Sequence, residues 1–228
     1  MSAANGTVHG RGSRTPAAVP QAFDNPYLRE FTRLQAELAR ASSALARVPG
    51  ASSVSADDRR AWCVRRYAFA VPTDEALTTL ARWAPIVELG AGTGYWCHLL
   101  RLRGVDCVAY DRAPPDRADN PHRFQRYTWT HVEPGDIDVL ARYADRALFL
   151  CWPPYRDAFA ARAVQAFAGN TLLYIGEPRG GHTADETFFD LLGHDWQLIE
   201  QVALPNWPGT RDALTVYRRR ASPTLRPG

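Results

Sequence analysis

Ile86-Val87-Glu88-Leu89-Gly90-Ala91-Gly92-Thr93-Gly94-Tyr95 is the stretch whose reading decides the fold. A short apolar run opening on two β-branched residues passes straight into three glycines at alternate positions, and a helical pattern starts at Tyr95. In an open α/β sheet this junction is the carboxyl edge of the first strand, the edge at which ligands bind. Glycine is required there because a Cβ would obstruct both the tight turn and the approach of a ligand to the backbone. The spacing narrows the ligand. A dinucleotide loop asks for G-x-G-x-x-G, and Tyr95 stands where its third glycine would fall. Glu88 argues the same way, since its carboxylate would repel a pyrophosphate and attract a cation.

Outward from the loop, short apolar runs alternate with helical stretches, the mark of βαβ units. Strands are expected at 86–89, 106–110, 127–132, 147–151, 171–176, 196–203 and 214–218, with helices at 95–103, 137–143, 158–167 and 185–192. Pro205-Asn206-Trp207-Pro208-Gly209 joins the last two strands as a turn, which favours a hairpin over a helical crossover. The expected fold is therefore α/β, a seven-stranded, mostly parallel, Rossmann-like sheet with an antiparallel C-terminal hairpin, preceded by N-terminal helices. Those helices are expected at 27–48, stopped by Pro49-Gly50; at 56–69, capped by Ser55; and from Thr73, the cap, to about Trp83. The chain divides into a disordered leader over 1–22, a helical extension or lid over 23–84, a core over 85–220 and a flexible tail over 221–228.

The 228 residues suffice for one such core, and 46% hydrophobic residues can fill it. A formal net charge of +3, carried by arginine alone on the basic side, shows no cluster of the kind that binds nucleic acid. Cys63, Cys97, Cys107 and Cys151 form no CxxC pair, which fits reduced thiols and a cytoplasmic setting. No apolar run is long enough for a membrane span. His131, His194, Cys97 and His98 form no metal-ligand spacing, so no metal is expected. The absence of Gly-x-Ser-x-Gly speaks against a hydrolase.

Two further acids fall in register with the loop. Asp111 ends the second strand, where a carboxylate can accept from both hydroxyls of a ribose. Gly135-Asp136-Ile137 follows the third strand and can close an adenine site, with Asp136 accepting from the amino group and Ile137 packing on the ring; the alternative for Asp136 is a helix cap.

Together with Cys151-Trp152-Pro153-Pro154-Tyr155 after strand four, these residues resemble the class I S-adenosylmethionine-dependent methyltransferases over roughly 67–218. The resemblance implies that S-adenosylmethionine is the cofactor and that Gly90, Gly92, Gly94, Asp111 and Asp136 bind it; Glu88, Ala91, Tyr95, Ile137 and Cys151 are further candidate cofactor contacts. Members of that family that methylate amino groups carry Asn or Asp before Pro-Pro-Tyr, and its side chain and the adjacent carbonyl accept from the target nitrogen. Trp152 occupies that position here, and an indole has a donor but no acceptor. Trp152, Pro153, Tyr155, Glu177 and Tyr67 are the expected substrate contacts. Aromatic faces of Tyr95, Trp152 or Tyr155 are candidates for steadying the sulfonium.

Transfer of a methyl group is an in-line displacement, so the protein has to align, exclude water and accept a proton where one is released. Glu177 and His182, in the glycine-rich loop after strand five, and Tyr155 are the candidate catalytic residues. A small-molecule acceptor with a nucleophilic N or O is expected. The alternatives are a nucleic-acid or protein methyltransferase using the Trp-Pro-Pro-Tyr segment, or a non-catalytic binding module on the same fold.

Overall fold

The apolar run after Pro85 forms β1 (Ile86–Leu89), every residue of which is buried. The computed structural model describes residues 24–45, 56–116 and 128–221. Parallel partners flank β1: β2 (Cys107–Asp111) on one side and β4 (Ala147–Cys151) on the other. β5 (Thr171–Gly176) continues the parallel series beyond β4, and β3 (Glu133–Pro134) adds two residues beyond β2. β7 (Ala213–Arg219) lies antiparallel between β5 and β6 (Trp196–Ala203), giving the order β3-β2-β1-β4-β5-β7-β6. The sheet is thus the expected seven-stranded α/β sheet with an antiparallel C-terminal pair.

Alternation along the central strands separates two cores. Ile86, Phe149, Leu173 and Ile175 face one layer with α4 (Tyr95–Leu102) and the N-terminal helices α1 (Pro26–Leu45), α2 (Ala56–Arg66) and α3 (Asp74–Ala81). Val87, Leu89, Leu148, Leu150 and Leu172 face the other, with α5 (Phe159–Ala166) and α6 (Glu186–Asp195). Burial on both faces is why these strands read as unbroken apolar runs.

The N-terminal layer is tied to the core by polar pins within aromatic packing. Tyr27 stacks on Tyr67 with centroids 5.0 Å apart, and its hydroxyl accepts from Trp207 Nε1 at 3.1 Å. Its backbone N–H donates to Tyr95 Oη, which in turn donates to Asn25 Oδ1. Thr73 caps α3 as expected, its side chain accepting from Ala76 N–H at 3.1 Å.

Several boundaries differ from the sequence reading. The strand expected over 127–132 is absent over its described part, 128–132, and pairing is confined to Glu133–Pro134 beside Tyr110 and Asp111. Trp129 N–H donates instead to Thr93 O at 2.8 Å, which commits this backbone to the glycine loop, and Pro134 has no N–H to extend the ladder. The helix expected over 137–143 is a 3-10 helix, Ile137–Arg142, with Asp136 as its cap. α2 ends at Arg66, not Phe69, because the carbonyls that would continue it are taken: Trp129 Nε1 donates to Arg66 O at 2.6 Å and Thr93 Oγ1 donates to Tyr67 O. The leader, Pro49-Gly50, Ser55, Tyr127 and the tail beyond 221 lie outside the described residues.

Candidate functional site

The carboxyl ends of β1, β2 and β4 open into a cleft of about 460 Å³. It is roofed by Tyr67, Ala68 and Phe69, the segment that leaves α2. Gly90 and Gly92 have φ of +74° and +53°, the left-handed region that a side chain rarely tolerates. A Cβ on Gly90 would also meet the Phe159 ring at 3.3 Å. The loop is braced from β2: Asp111 Oδ2 accepts from Gly92 N–H at 2.8 Å, and Oδ1 accepts from Ala113 N–H at 2.8 Å. One lone pair on each oxygen remains for a ligand.

Of the residues singled out from sequence, Glu88, Gly90, Ala91, Gly92, Asp111, Asp136, Cys151, Trp152, Pro153, Tyr155, Tyr67 and His182 line this cleft. Gly94, Tyr95, Ile137 and Glu177 are not part of its lining. Gly94 sets the start of α4, at φ +68°, and a Cβ there would strike Val132 Cγ2 at 2.8 Å. Tyr95 points into the N-terminal layer, where its hydroxyl is consumed by Asn25 and Tyr27. Ile137 packs against the α5 and α6 side of the sheet. Asp136 Oδ1 accepts from Ile137 N–H at 2.8 Å, so it is a cap and a cleft residue at once.

Glu88 is only 2% exposed at the cleft floor, and its Oε2 accepts from Cys97 N–H at 3.1 Å. Burial holds its carboxyl well above the usual range. Glu88, Cys97 and Cys107 bring a carboxylate oxygen and two sulfurs within 4.8 Å of one another, a grouping that no sequence spacing announced. These groups are joined among themselves, Cys97 Sγ donating to Cys107 O at 3.3 Å.

Glu177, expected as a catalytic residue and a substrate contact, does not line the cleft. It is buried, its Oε1 accepts from Arg211 N–H at 2.9 Å, and its Oε2 accepts from His182 N–H at 2.5 Å. The same Oε2 lies 2.9 Å from His182 Nδ1. His182 itself stands at the cleft mouth beside Tyr155, with ring centroids 5.7 Å apart. The carboxylate therefore holds the loop and the imidazole, and the imidazole faces the cleft.

The two loops at the mouth are locked together. Arg156 N–H donates to Ala184 O at 2.8 Å, and Ala184 N–H donates to Pro153 O at 3.1 Å. Trp152, Arg156 and Ala184 all have positive φ, at 52°, 55° and 55°, the sort of stored strain that gathers at functional sites. Trp152 does not offer an open face to a substrate. Phe69 stacks on it at 5.2 Å, the Arg60 guanidinium lies over its ring at 5.0 Å, and its Nε1 donates to Asp212 Oδ1 at 2.8 Å. Asp212 is 4% exposed, and burial pushes its carboxyl up to about 7.

Sequence reasoning missed Asp212, Phe69, Arg60 and Phe159. Asp212 sits in a turn-rich hairpin, where an acid is ordinary, and nothing local tells that Trp152 reaches it across 60 positions. Phe159 was legible only as a helix residue; its ring closing on Gly90 depends on how α5 packs.

No protein-family model matches the chain, and no curated protein does. Among solved structures it is similar to the N-methyltransferase NodS from Bradyrhizobium japonicum WM9, at 18% identity and a TM-score of 0.42 over 64% of this chain and 96% of that one. Magnesium protoporphyrin IX methyltransferase from Synechocystis PCC 6803 with bound S-adenosylmethionine gives 12% identity and a TM-score of 0.44, over 89% of this chain and 100% of the other. The 1,6-didemethyltoxoflavin-N1-methyltransferase of Burkholderia thailandensis gives 17% identity and a TM-score of 0.43, over 75% and 93% respectively.

Proposed function

We propose that the cleft holds S-adenosylmethionine and that the chain is a methyltransferase acting on a small molecule. The carrying observation is the charge of the lining around the glycine loop: among the described residues Asp111, Asp136 and Asp157 are acidic, against the guanidinium of Arg112. Such a wall suits a ligand with a sulfonium and an ammonium, and it opposes the pyrophosphate of a dinucleotide. The volume lies within the usual range for ligand sites, and the left-handed glycines leave the backbone approachable.

In this reading Asp111 accepts from the ribose hydroxyls while its other lone pairs brace Gly92 and the chain at Ala113. Asp136 meets the adenine end, Glu88 lies at the floor for the cationic amine, and Cys151 to Pro153 form the wall beside the reacting centre. The bound cofactor supplies an electrophilic methyl group on sulfur. The residues of the chain orient it, exclude water beneath the 67–69 roof and leave the mouth at Tyr155 and His182 for the acceptor. A roofed cleft supports a small acceptor over a nucleic acid, which needs an open basic groove. The unpaired cysteines fit a reducing, cytoplasmic setting. No described helix is long and apolar enough to cross a membrane.

Thermal unfolding with and without S-adenosylmethionine tests this. Ligand that binds only the folded state raises the midpoint in proportion to its concentration over Kd. The wild type should shift; Gly90→Val, which fills the space before Phe159, should not. Equal shifts in both, or none in the wild type, would remove the cofactor from this cleft.

A further inference from the structure

We infer that the methyl acceptor is a hydroxyl on a planar, unsaturated ring, a phenol or enol, and that Nε2 of His182 takes its proton. The inference rests on the cofactor reading above and deepens it by naming the acceptor class.

The geometry starts at Glu177. Two of its three contacts are with backbone amides, of His182 and Arg211, which can only donate. A carboxylate so placed is an acceptor toward the third partner as well, so His182 Nδ1, 2.9 Å away, carries the proton. In the neutral ring Nε2 is then the acceptor. Glu177 does not line the cleft while His182 does, so the acid is a positioning residue and the imidazole is the group that meets substrate.

The side chain at 152 gives no means of recognising an amine. An amino group is held by acceptors, and the side chain at 152 is an indole whose one N–H is spent on Asp212. The carbonyl of Pro153 accepts from Ala184 N–H, and that of Pro154 from Asp157 N–H at 3.4 Å, which leaves one lone pair on each. Among the described residues the mouth sets a base and the flat, half-exposed ring of Tyr155 side by side. A neutral amine attacks through its own lone pair and has little use for a base, whereas a hydroxyl becomes a good nucleophile only as its proton leaves. Phenols ionise near pH 10, far closer to an imidazole than an alkyl alcohol does.

The step balances within these groups. The acceptor oxygen bonds to the methyl carbon as the carbon–sulfur bond breaks, its electron pair returning to sulfur to leave a neutral thioether. The hydroxyl proton passes to His182 Nε2, the resulting imidazolium is paired with the Glu177 carboxylate, and the proton departs to water, since the imidazole side chain is 69% exposed.

Two measurements test this. The first offers S-adenosylmethionine labelled in its methyl group together with matched rings: catechol against ortho-phenylenediamine, and para-nitrophenol against para-nitroaniline. Label should enter the hydroxyl members, and His182→Ala should lower that transfer by about 100-fold or more while calorimetric affinity for S-adenosylmethionine stays within about twofold. Label in the amines, label in neither, or undiminished transfer by His182→Ala would overturn the inference. The second reads the tautomer of His182 by long-range nitrogen-15 NMR. The Nδ1–H form is expected, with Nε2–H gaining population in Glu177→Gln; an Nε2–H form in the wild type would overturn it without any acceptor. A wild type that binds the cofactor yet fails these tests loses the acceptor class alone, whereas one that does not bind it loses the parent reading too.

Discussion

Asp212 is a buried acid that anchors the cleft wall, its Oδ1 accepting from the indole Nε1 of Trp152. Its carboxyl is pushed up to about 7: burial raises it most, the Trp152 hydrogen bond offsets part of that, and Glu177 raises it further. A raised folded-state value means that the native protein keeps a proton the unfolded chain has released, so stability falls as pH rises from about 4 to about 7. The loss is on the order of 4 kcal/mol for a shift of this size. Asp212→Asn keeps an oxygen for Trp152 Nε1 and abolishes the titration. Urea midpoints should therefore favour the variant increasingly between pH 4.5 and 7.5, and a pH-independent difference would refute the assignment. Trp152→Phe tests the other partner: the ring stays between Phe69 and Arg60, but Asp212 loses its donor, at a cost of about 1–3 kcal/mol at pH 8 by chemical denaturation.

At the level of elements, the glycine loop divides its labour. Gly90 borders the cleft, while Gly94 packs against Val132 and Thr130 and starts α4. Gly94→Ala, with a Cβ 2.8 Å from Val132 and a left-handed φ, should destabilise the fold by about 1–3 kcal/mol and leave cofactor affinity in the folded fraction nearly unchanged. A large loss of affinity with no loss of stability would reverse these roles. The loop and the strands were legible because period and punctuation are local: apolar runs buried on both faces, glycines at the edge and a turn at 205–209 that brings β7 back beside β6. The third strand was not. Its backbone partner is Thr93 O, a long-range choice invisible in the pattern of 127–132. The place of Tyr95 after the glycines suggests a cofactor contact, yet the first turn of α4 points it at α1. Likewise Glu177 and His182 were found by residue type, but which of them faces the cleft is decided by Arg211, contributed by the hairpin.

For the molecule as a whole, the N-terminal helices complete the site, since the roof at 67–69 hangs from α2 and α1 secures that layer through Tyr27, stacked on Tyr67 and bonded to Trp207 and Tyr95. Tyr27→Ala should cost about 3–5 kcal/mol from lost packing and an orphaned indole N–H, and it should weaken cofactor binding through a loosened roof. Unaltered affinity in the folded variant would show that the roof stands without α1. The central claim is that S-adenosylmethionine binds between the Gly90 loop and Asp111, and isothermal titration calorimetry tests it most directly. One molecule should bind per chain, and Asp111→Asn, which leaves a single carbonyl oxygen where two carboxylate oxygens serve Gly92, Ala113 and the ligand, should weaken it about tenfold or more. No binding by the folded wild type, or the same affinity in Asp111→Asn, would contradict it.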